Sequence, residues 1–323
     1  MKSLPKEIVI FRSAVIKASR NYFWELGFLE VDTPCLKPIV GMEPYLDPFE
    51  VTSPSKKERG FLITSPEYAL KQILSTGIDR IFEFSHTFRS GEMGSDFHSK
   101  EFLMLELYAK GMDDVQLREF TKGYLIFLIQ NFGTSESKTR LQNPKESYIR
   151  ERTVESIFLE ATGSKFDRDS LLALIDLHKL TGAAKEEIQL WPYEDLFFLV
   201  FLNLVEPKLG EGIVFLYDYP PECAALARIE GGVAKRFEIY WDGVELANAF
   251  YELKDPGEQR HRFEKERELR QKLGKEVFPI DEDFLSCLGE DFPNASGISI
   301  GMDRLILKLI AKQRLAEISP YWI

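Results

Sequence analysis

The stretch FRSGEMGSDFHSKEFLMLELY combines an arginine, a charged loop, and then a carboxylate with a phenol. Side chains alternate between the two faces of a strand, so Phe102, Glu106 and Tyr108 share one face of the second strand. An antiparallel hairpin would bring Arg89 alongside that face. The set suits a pocket floor with a ring for a planar group, a carboxylate and phenol for a cation, and an arginine for an anion. The alternative is an ordinary amphipathic hairpin with a solvated polar face.

A second hairpin, RFEIYWDGVELANAF, places two carboxylates close together. Its Asp-Gly pair predicts a two-residue turn. Counting back from the turn predicts three cross-strand pairs: Trp241 with Val244, Tyr240 with Glu245, and Glu238 with Ala247. Glu238 and Glu245 are then diagonal neighbours, which repel unless a cation or a shared proton separates them. A hard divalent ion carrying nucleotide phosphates explains the pair economically. Two independent surface glutamates are the alternative.

The strand after Glu245 requires an irregularity if it is to line the same pocket. Asn248, Phe250 and Glu252 have the opposite parity from Glu245. A bulge near residues 246–247 would return them to its face.

A third segment, GISIGMDRLIL, predicts a strand that stops at Gly301 and a helix with Arg304 in its first turn. A helix N-terminus favours anions, and an arginine there adds a fork for phosphate oxygens. Packing glycines followed by a surface arginine are the alternative.

The elements that must position these residues alternate between hairpins and helices. Residues 6–26 predict a helix stopped by Gly27, FLEVDTP a short strand, and Ser65-Pro66-Glu67 the start of another helix. Residues from about 112 to 207 predict a mostly helical insertion, with RDSLLALIDLHKL ending at Thr181-Gly182. The pattern predicts one α+β domain over 1–323, built on an antiparallel sheet.

Composition narrows the class of protein. The 323 residues are 44% hydrophobic and 29% charged, as in ordinary globular proteins. A net charge of −11 disfavours extended nucleic-acid binding, and the charged run Lys254–Lys275 favours a solvated helix face over a basic patch. The run LFFLVFLNLV is too short to span a bilayer and predicts a buried helix. Three distant cysteines predict reduced core thiols in the cytoplasm.

Taken in order, FLEVDTP, FR…HSKEFLMLELY and GISIGMDR resemble motifs 1, 2 and 3 of the class II aminoacyl-tRNA synthetases. TSPE, MLELY and ELANAFYEL are most similar to the lysyl branch. The first motif arrives by residue 28, which implies no anticodon-binding domain. The chain therefore resembles the lysyl-synthetase paralogues that transfer β-lysine to elongation factor P.

The resemblance implies a class II synthetase-type sheet flanked by helices, a homodimer built through motif 1, ATP and Mg²⁺ as cofactors, and a role for each matching residue. Arg89 would hold the α-phosphate, Arg304 the far phosphates, and Glu238 with Glu245 the magnesium. Phe102 would stack on adenine, with His98 near the phosphates. The substrate amino acid would contact the remaining set: Ser65, Glu67, Glu106, Tyr108, Ala247, Asn248, Phe250 and Glu252. Within it, Glu67 would take the reacting-end amine, and Glu106, Tyr108 and Glu252 the distal ammonium.

One part of motif 2 departs from the family pattern. The family has Phe-Arg-x-Glu, whereas here Ser90 and Gly91 follow Phe-Arg and Glu92 comes one place late. An inserted residue would let Glu92 take the ATP-binding role of the family glutamate.

These features predict an AMP-forming ligase that activates (R)-β-lysine or lysine with ATP and transfers it to a lysine of elongation factor P. DNA and membranes are not expected as partners, and tRNA is disfavoured. The alternatives are a free-standing lysyl-tRNA synthetase-like enzyme that lysylates tRNA or another acceptor, and a regulator that binds without catalysis. Ala247 favours β-lysine, because lysyl-tRNA synthetases carry glycine there and a methyl would crowd an α-amino group.

Overall fold

The structure is a computed structural model that describes residues 4–91, 95–143 and 148–321. The helices are α1 (Lys6–Glu25), α2 (Glu67–Leu74), α3 (Asp114–Phe132), α4 (Ser135–Gln142), α5 (Val154–Thr162), α6 (Arg168–His178), α7 (Lys185–Ile188), α8 (Tyr193–Val200), α9 (Pro256–Lys272), α10 (Glu282–Ser286) and α11 (Met302–Leu309). The strands are β1 (Leu29–Glu30), β2 (Leu36–Lys37), β3 (Glu50–Thr52), β4 (Arg59–Leu62), β5 (Arg80–Phe88), β6 (Glu101–Lys110), β7 (Ile149–Thr153), β8 (Ile213–Tyr219), β9 (Ile229–Glu230), β10 (Val233–Trp241), β11 (Val244–Tyr251) and β12 (Ala295–Gly301). The fold is α+β, as predicted.

The chain forms two compact units, which we describe separately. Unit 1 comprises Met1–Thr139 with Tyr251–Ile323, and unit 2 comprises Arg140–Phe250. Helix α3 belongs to unit 1, whereas α5 to α8 lie in unit 2 together with strands. The assignment of the chain to a single catalytic domain stays a prediction.

Unit 1 is built around the hairpin β5–β6, which pairs antiparallel over its whole length. Strand β12 pairs antiparallel with β6, and β1 pairs parallel with β5. Helix α1 packs against α3, where the Tyr124 hydroxyl donates to Ser19 Oγ at 2.7 Å. Phe23 is fully buried and packs against both Phe82 and Tyr124. This aromatic layer supports the hairpin that carries most of the predicted site.

Unit 2 contains several paired strands and a hydrophobic core of its own. Strand β10 pairs antiparallel with β8 and β11, and β7 pairs parallel with β8. The predicted buried helix over LFFLVFLNLV is confirmed as α8 followed by a π-helical turn, Phe201–Val205. Phe197, Phe201 and Leu216 are fully buried in that core. Most strand pairs are antiparallel, as predicted, and one parallel pair in each unit (β1 with β5, β7 with β8) makes the sheet mixed.

Most element boundaries follow the sequence signals. Helix α1 ends just before Gly27, whose φ of 78° suits glycine. Helix α6 ends at His178, before the predicted Thr181-Gly182 stop, because Lys179 takes the left-handed conformation with φ 51°. The charged run forms α9, in which Arg262 and Glu258 make an i,i+4 ion pair at 3.0 Å. The described cysteines are all free, as expected. Among the described helices, none has the length and apolar character that crossing a bilayer requires.

Candidate active site

The first hairpin places its residues on the faces that alternation predicts. Thr87 pairs with Phe102, and Glu83 pairs with Glu106, so Phe102 and Glu106 share a face of the sheet. Glu106 is 0% exposed and Tyr108 is 2% exposed. The alternative of a solvated polar face is therefore wrong. A carboxyl group enclosed to this degree needs a specific reason to be there.

Five residues of unit 1 form what we call the acidic pocket: Glu67, Lys71, Glu106, Tyr108 and Glu252. Glu106 accepts hydrogen bonds from the Tyr108 hydroxyl at 2.6 Å and from Ser65 Oγ at 3.0 Å. Lys71 Nζ lies 2.6 Å from Glu67 Oε1 and 2.5 Å from Glu252 Oε2. The structure thus brings together the carboxylates predicted at the two ends of the substrate.

Burial makes the acidic pocket electrostatically unusual. Desolvation, with the nearby Glu67 charge, raises the pKa of Glu106 to about 8. Burial and three neighbouring carboxylates raise the pKa of the Tyr108 phenol. For Lys71, burial acts to lower the pKa, but Glu252 and Glu67 outweigh it and raise the pKa. The pocket holds more carboxyl groups than its internal cation can neutralise, so it suits a cationic ligand.

A glycine on the neighbouring strand makes the acidic pocket sterically possible. Gly297 of β12 pairs with Tyr108 of β6. A Cβ at Gly297 would fall 2.2 Å from Tyr108 Cε1 and 2.8 Å from Glu252 Oε1. Any larger residue would push the phenol or the carboxylate away. Glycine inside the strand ASGISIG is the sequence signal for such a close approach, although the sequence alone does not identify the partners.

The two predicted phosphate-binding arginines are each held by neighbours in unit 1. The Arg89 guanidinium lies 5.2 Å above the Phe102 ring, and its Nε donates to the Thr64 carbonyl at 3.4 Å. Arg304, in the first turn of α11, donates from Nε to the Phe97 carbonyl at 3.0 Å. Its guanidinium is also 3.0 Å from His98 Nε2. Arg89 with Phe102 and Arg304 with His98 are therefore contacting pairs. Glu92 lies outside the described residues.

A buried ion pair fixes the start of α11. Arg12 of α1 contacts Asp303 Oδ1 at 2.6 Å, and Asp303 Oδ2 accepts from the Leu103 amide at 2.8 Å. Asp303 therefore ties the helix that carries Arg304 both to α1 and to β6. The sequence analysis did not assign this role to either residue.

A cavity in unit 1 adjoins the acidic pocket at the start of α2. It is lined by Glu43, Ser65 and Glu67, among others. Burial, followed by the Glu67 charge, raises the pKa of Glu43. The sequence analysis missed Glu43 and Lys71, because their neighbours become apparent only in the folded chain.

The second hairpin, in unit 2, has both the predicted two-residue turn and the predicted bulge. Asp242 and Gly243 both have positive φ, 46° and 71°, as a two-residue hairpin turn of this kind requires. Two of the three predicted pairs, Trp241 with Val244 and Tyr240 with Glu245, are confirmed. Glu238 pairs with Asn248 instead of Ala247, because Leu246 is an extra residue in β11.

The bulge sorts the predicted residues of β11 between two faces. Glu238, Glu245, Asn248 and Phe250 share one face with Arg236 and Tyr240, and we call this set the carboxylate face. Ala247 pairs with Ile239 and therefore points to the opposite face.

Glu238 is enclosed, contrary to the alternative of independent surface glutamates. It is 5% exposed and accepts hydrogen bonds from Tyr219 and Tyr240, both at 2.6 Å, and from Arg236 at 2.5 Å. Burial, then the Glu238 charge, raises the pKa of both phenols.

The donor set of the carboxylate face fits a magnesium ion. Mg²⁺ is held by one or two carboxylates together with substrate phosphates, rather than by an all-protein cage. A carboxylate has about four lone-pair sites, so Glu238 keeps one after its three hydrogen bonds. Glu245 on the same face supplies a second carboxylate. In the described part of the chain, no three metal-binding side chains converge.

Comparisons with known proteins identify the family. The family model for class II tRNA synthetases (D, K and N) matches residues 2–322. The chain is 33% identical to elongation factor P–(R)-β-lysine ligase of Hamiltonella defensa over 99% of this chain and 96% of the relative. The enzyme of the same name from Edwardsiella ictaluri is 34% identical, with 99% and 96% covered. That from Salmonella typhi is 31% identical, with 97% and 94% covered.

Proposed function

The chain belongs to the class II tRNA synthetase family (D, K and N), and on that premise we propose that it is an ATP-dependent ligase for elongation factor P. It activates (R)-β-lysine, or lysine, as an aminoacyl-adenylate and transfers the aminoacyl group to a lysine side chain of the factor. The names of its relatives, matched over nearly their full length, support this acceptor.

The acidic pocket is the observation that carries the substrate assignment. Glu106 and Glu252 are both 0% exposed, and Glu67 is 9% exposed. An apolar amino acid would leave Glu67 and Glu252 sharing the single ammonium of Lys71 and Glu106 bonded to hydroxyls, and buried polar groups that lose a partner discriminate strongly between substrates. We assign the distal ammonium to Glu106, Tyr108 and Glu252. The amino group at the reacting end goes to Glu67 and the neighbouring Ser65.

We assign the roles in ATP binding by the family resemblance. Arg89 and Arg304 would neutralise phosphate charge, Phe102 would stack on the adenine, and His98 would lie near the phosphates. Glu238 and Glu245 would hold Mg²⁺, which when bound supplies positive charge against the phosphates. Asn248 and Phe250 would shape the rest of the substrate pocket.

The chemistry needs positioning and charge neutralisation rather than a covalent nucleophile. A carboxylate oxygen of the amino acid attacks the α-phosphorus of ATP, and pyrophosphate leaves. The amine of the acceptor lysine then attacks the carbonyl carbon of the mixed anhydride. An isopeptide bond forms, and AMP leaves with the electrons of the broken C–O bond.

We further propose that the enzyme acts in the cytoplasm, because the proposed acceptor is a translation factor. We also propose that it forms a homodimer. Helix α1 and β1 support the dimer, because Val9, Ile10, Trp24 and Leu29 are each about half exposed on this chain and large exposed apolar patches mark interfaces. Sedimentation at micromolar concentration should show a dimer.

Two assays test the function. Amino-acid-dependent exchange of pyrophosphate into ATP should respond to β-lysine and lysine but not to norleucine. Transfer should then raise the mass of elongation factor P by one β-lysyl group and leave tRNA unmodified. Exchange without any transfer to the factor, combined with transfer to tRNA, would favour the lysyl-tRNA synthetase-like alternative. Absence of exchange with every amino acid would favour a non-catalytic regulator.

A further inference from the structure

Lys71 is an enclosed lysine whose ammonium bridges two carboxylates of the acidic pocket. It lies one turn after Glu67 on α2 and is 2% exposed. Its Nζ contacts Glu67 Oε1 at 2.6 Å and Glu252 Oε2 at 2.5 Å. These two carboxylates are the ones to which the proposed function gives opposite ends of the substrate, and no role described above uses Lys71.

We propose that Lys71 is a positioning residue that sets the separation of Glu67 and Glu252, and thereby selects substrates by the spacing of their two amino groups. The proposal rests on the proposed function, because it assumes an amino acid with two ammonium groups. The Lys71 ammonium contacts both carboxylates, so the separation between Glu67 Oε1 and Glu252 Oε2 cannot exceed the sum of the two contact distances.

The bridge is rigid on both sides. Glu67 belongs to the first turn of α2, and its amide donates to Ser65 Oγ at 3.0 Å. On the other side, the Glu252 amide donates to the Ala295 carbonyl at 3.0 Å. Glu252 Oε1 also lies 2.8 Å from the position that a Cβ on Gly297 would take. Glu252 therefore has little room to follow a substrate of different length.

Lys71 also keeps its charge in this environment. Burial alone would lower the pKa of a lysine, but Glu252 and Glu67 together raise the pKa of Lys71. The Tyr108 ring lies 5.9 Å from Nζ, which adds a weak attraction for the cation.

Lys71→Met tests the proposal, since it keeps the length of the side chain and removes its charge. Exchange kinetics would be measured with β-lysine, lysine and ornithine, whose amino groups differ in spacing. We expect Lys71→Met to compress the spread of kcat/KM among the three substrates by about tenfold or more, through KM for the amino acid. KM for ATP should stay within about threefold of wild type.

Arg118→Met is the matched control. Arg118 is buried on α3, makes an i,i+4 ion pair with Asp114 at 2.9 Å, and is not one of the five acidic-pocket residues. The control should lose stability yet keep the wild-type ratios among the substrates. If Lys71→Met lowers kcat equally for all substrates and leaves their ratios unchanged, Lys71 is only structural and the proposal is overturned.

Lys71→Arg provides a second variant in case Lys71→Met does not fold. A guanidinium keeps the charge but is wider than an ammonium, so it should move the two carboxylates apart and shift preference toward wider amine spacing. Unchanged ratios in this variant would overturn the proposal. If wild type shows no exchange with any amino acid, the proposed function itself fails. If wild type shows exchange but the Lys71 variants keep the wild-type ratios among the substrates, only the Lys71 proposal fails.

Discussion

The acidic pocket of unit 1 and the carboxylate face of unit 2 are built from the same types of side chain, but in different numbers. Each combines buried carboxylates, phenols and one internal cation. In the acidic pocket, Lys71 is shared by two carboxylates, while Glu106 receives only hydroxyl donors. On the carboxylate face, Arg236 and two phenols converge on the single carboxylate of Glu238.

The difference shows how a protein separates recognition of an ammonium from recognition of a metal. An organic ammonium needs carboxyl oxygens in a desolvated pocket, and in the described part of the acidic pocket the partners of Glu106 are hydroxyl groups rather than a cation. A small hard ion needs few, rigidly oriented oxygen ligands. Three hydrogen bonds orient Glu238 without occupying all of its lone pairs.

The largest expected effect is on the carboxylate face. Glu245→Gln should lower the exchange rate on the order of 10³-fold, because it removes a proposed magnesium ligand where charge develops. Glu238→Ala should lose activity as much, but it should also destabilise the fold by about 3–5 kcal/mol, since it leaves Arg236 buried and unpaired. Exchange kinetics at varied Mg²⁺, with denaturant unfolding alongside, separate the two variants. Wild-type exchange rates in both would rule out the metal assignment.

The next largest effect concerns the acidic pocket. Glu252→Gln should raise KM for the amino acid on the order of 10²-fold and leave KM for ATP unchanged, because it removes charge from the ammonium end alone. Glu211→Gln, at a largely exposed surface acid, is the control and should change neither constant. An equal rise in both KM values would show that the acidic pocket is not specific to the amino acid.

A third prediction concerns pH and Glu106. Its folded pKa of about 8 exceeds the ordinary value of 4.5, so the folded state favours the neutral carboxyl. The stability of wild type relative to Glu106→Gln should therefore be greatest below about pH 4.5 and fall as pH rises to about 8, by about 3–5 kcal/mol. Denaturant unfolding of both proteins between pH 5 and 8 measures the difference. If the free energies of unfolding of the two proteins change in parallel with pH, ionisation of Glu106 does not destabilise the folded state.

Local sequence rules predicted the geometry of both hairpins, and long-range packing supplied what those rules could not. Alternation placed Glu106 on the correct face, and parity required the bulge that the structure has at Leu246. The distant partners were unpredictable from local rules: Glu252 for Lys71, and Tyr219 for Glu238. Residue roles carried over by resemblance stay predictions.

The smallest expected effect is on Ala247, the residue that favours β-lysine in the sequence analysis. Ala247 is 3% exposed and pairs with Ile239, so its methyl points away from the carboxylate face. A methyl in direct contact with substrate is worth about 1–3 kcal/mol, or about 10–200-fold. An effect transmitted only through the backbone beside the bulge should be weaker.

Ala247→Gly should therefore raise kcat/KM for lysine relative to β-lysine by less than about tenfold, measured by exchange with each amino acid. Ala249→Gly is the matched control, since Ala249 is also buried, points to the same face and pairs with Phe237 on β10. Equal shifts in both variants would mean that glycine merely loosens β11. A shift above about 100-fold in Ala247→Gly alone would mean that the methyl touches the substrate, and would place that part of the substrate on the face of β11 opposite the carboxylate face. A shift confined to Ala247 and below that limit would show that the bulge transmits the choice between the two lysines, because the bulge is what distinguishes the backbone at Ala247 from that at Ala249.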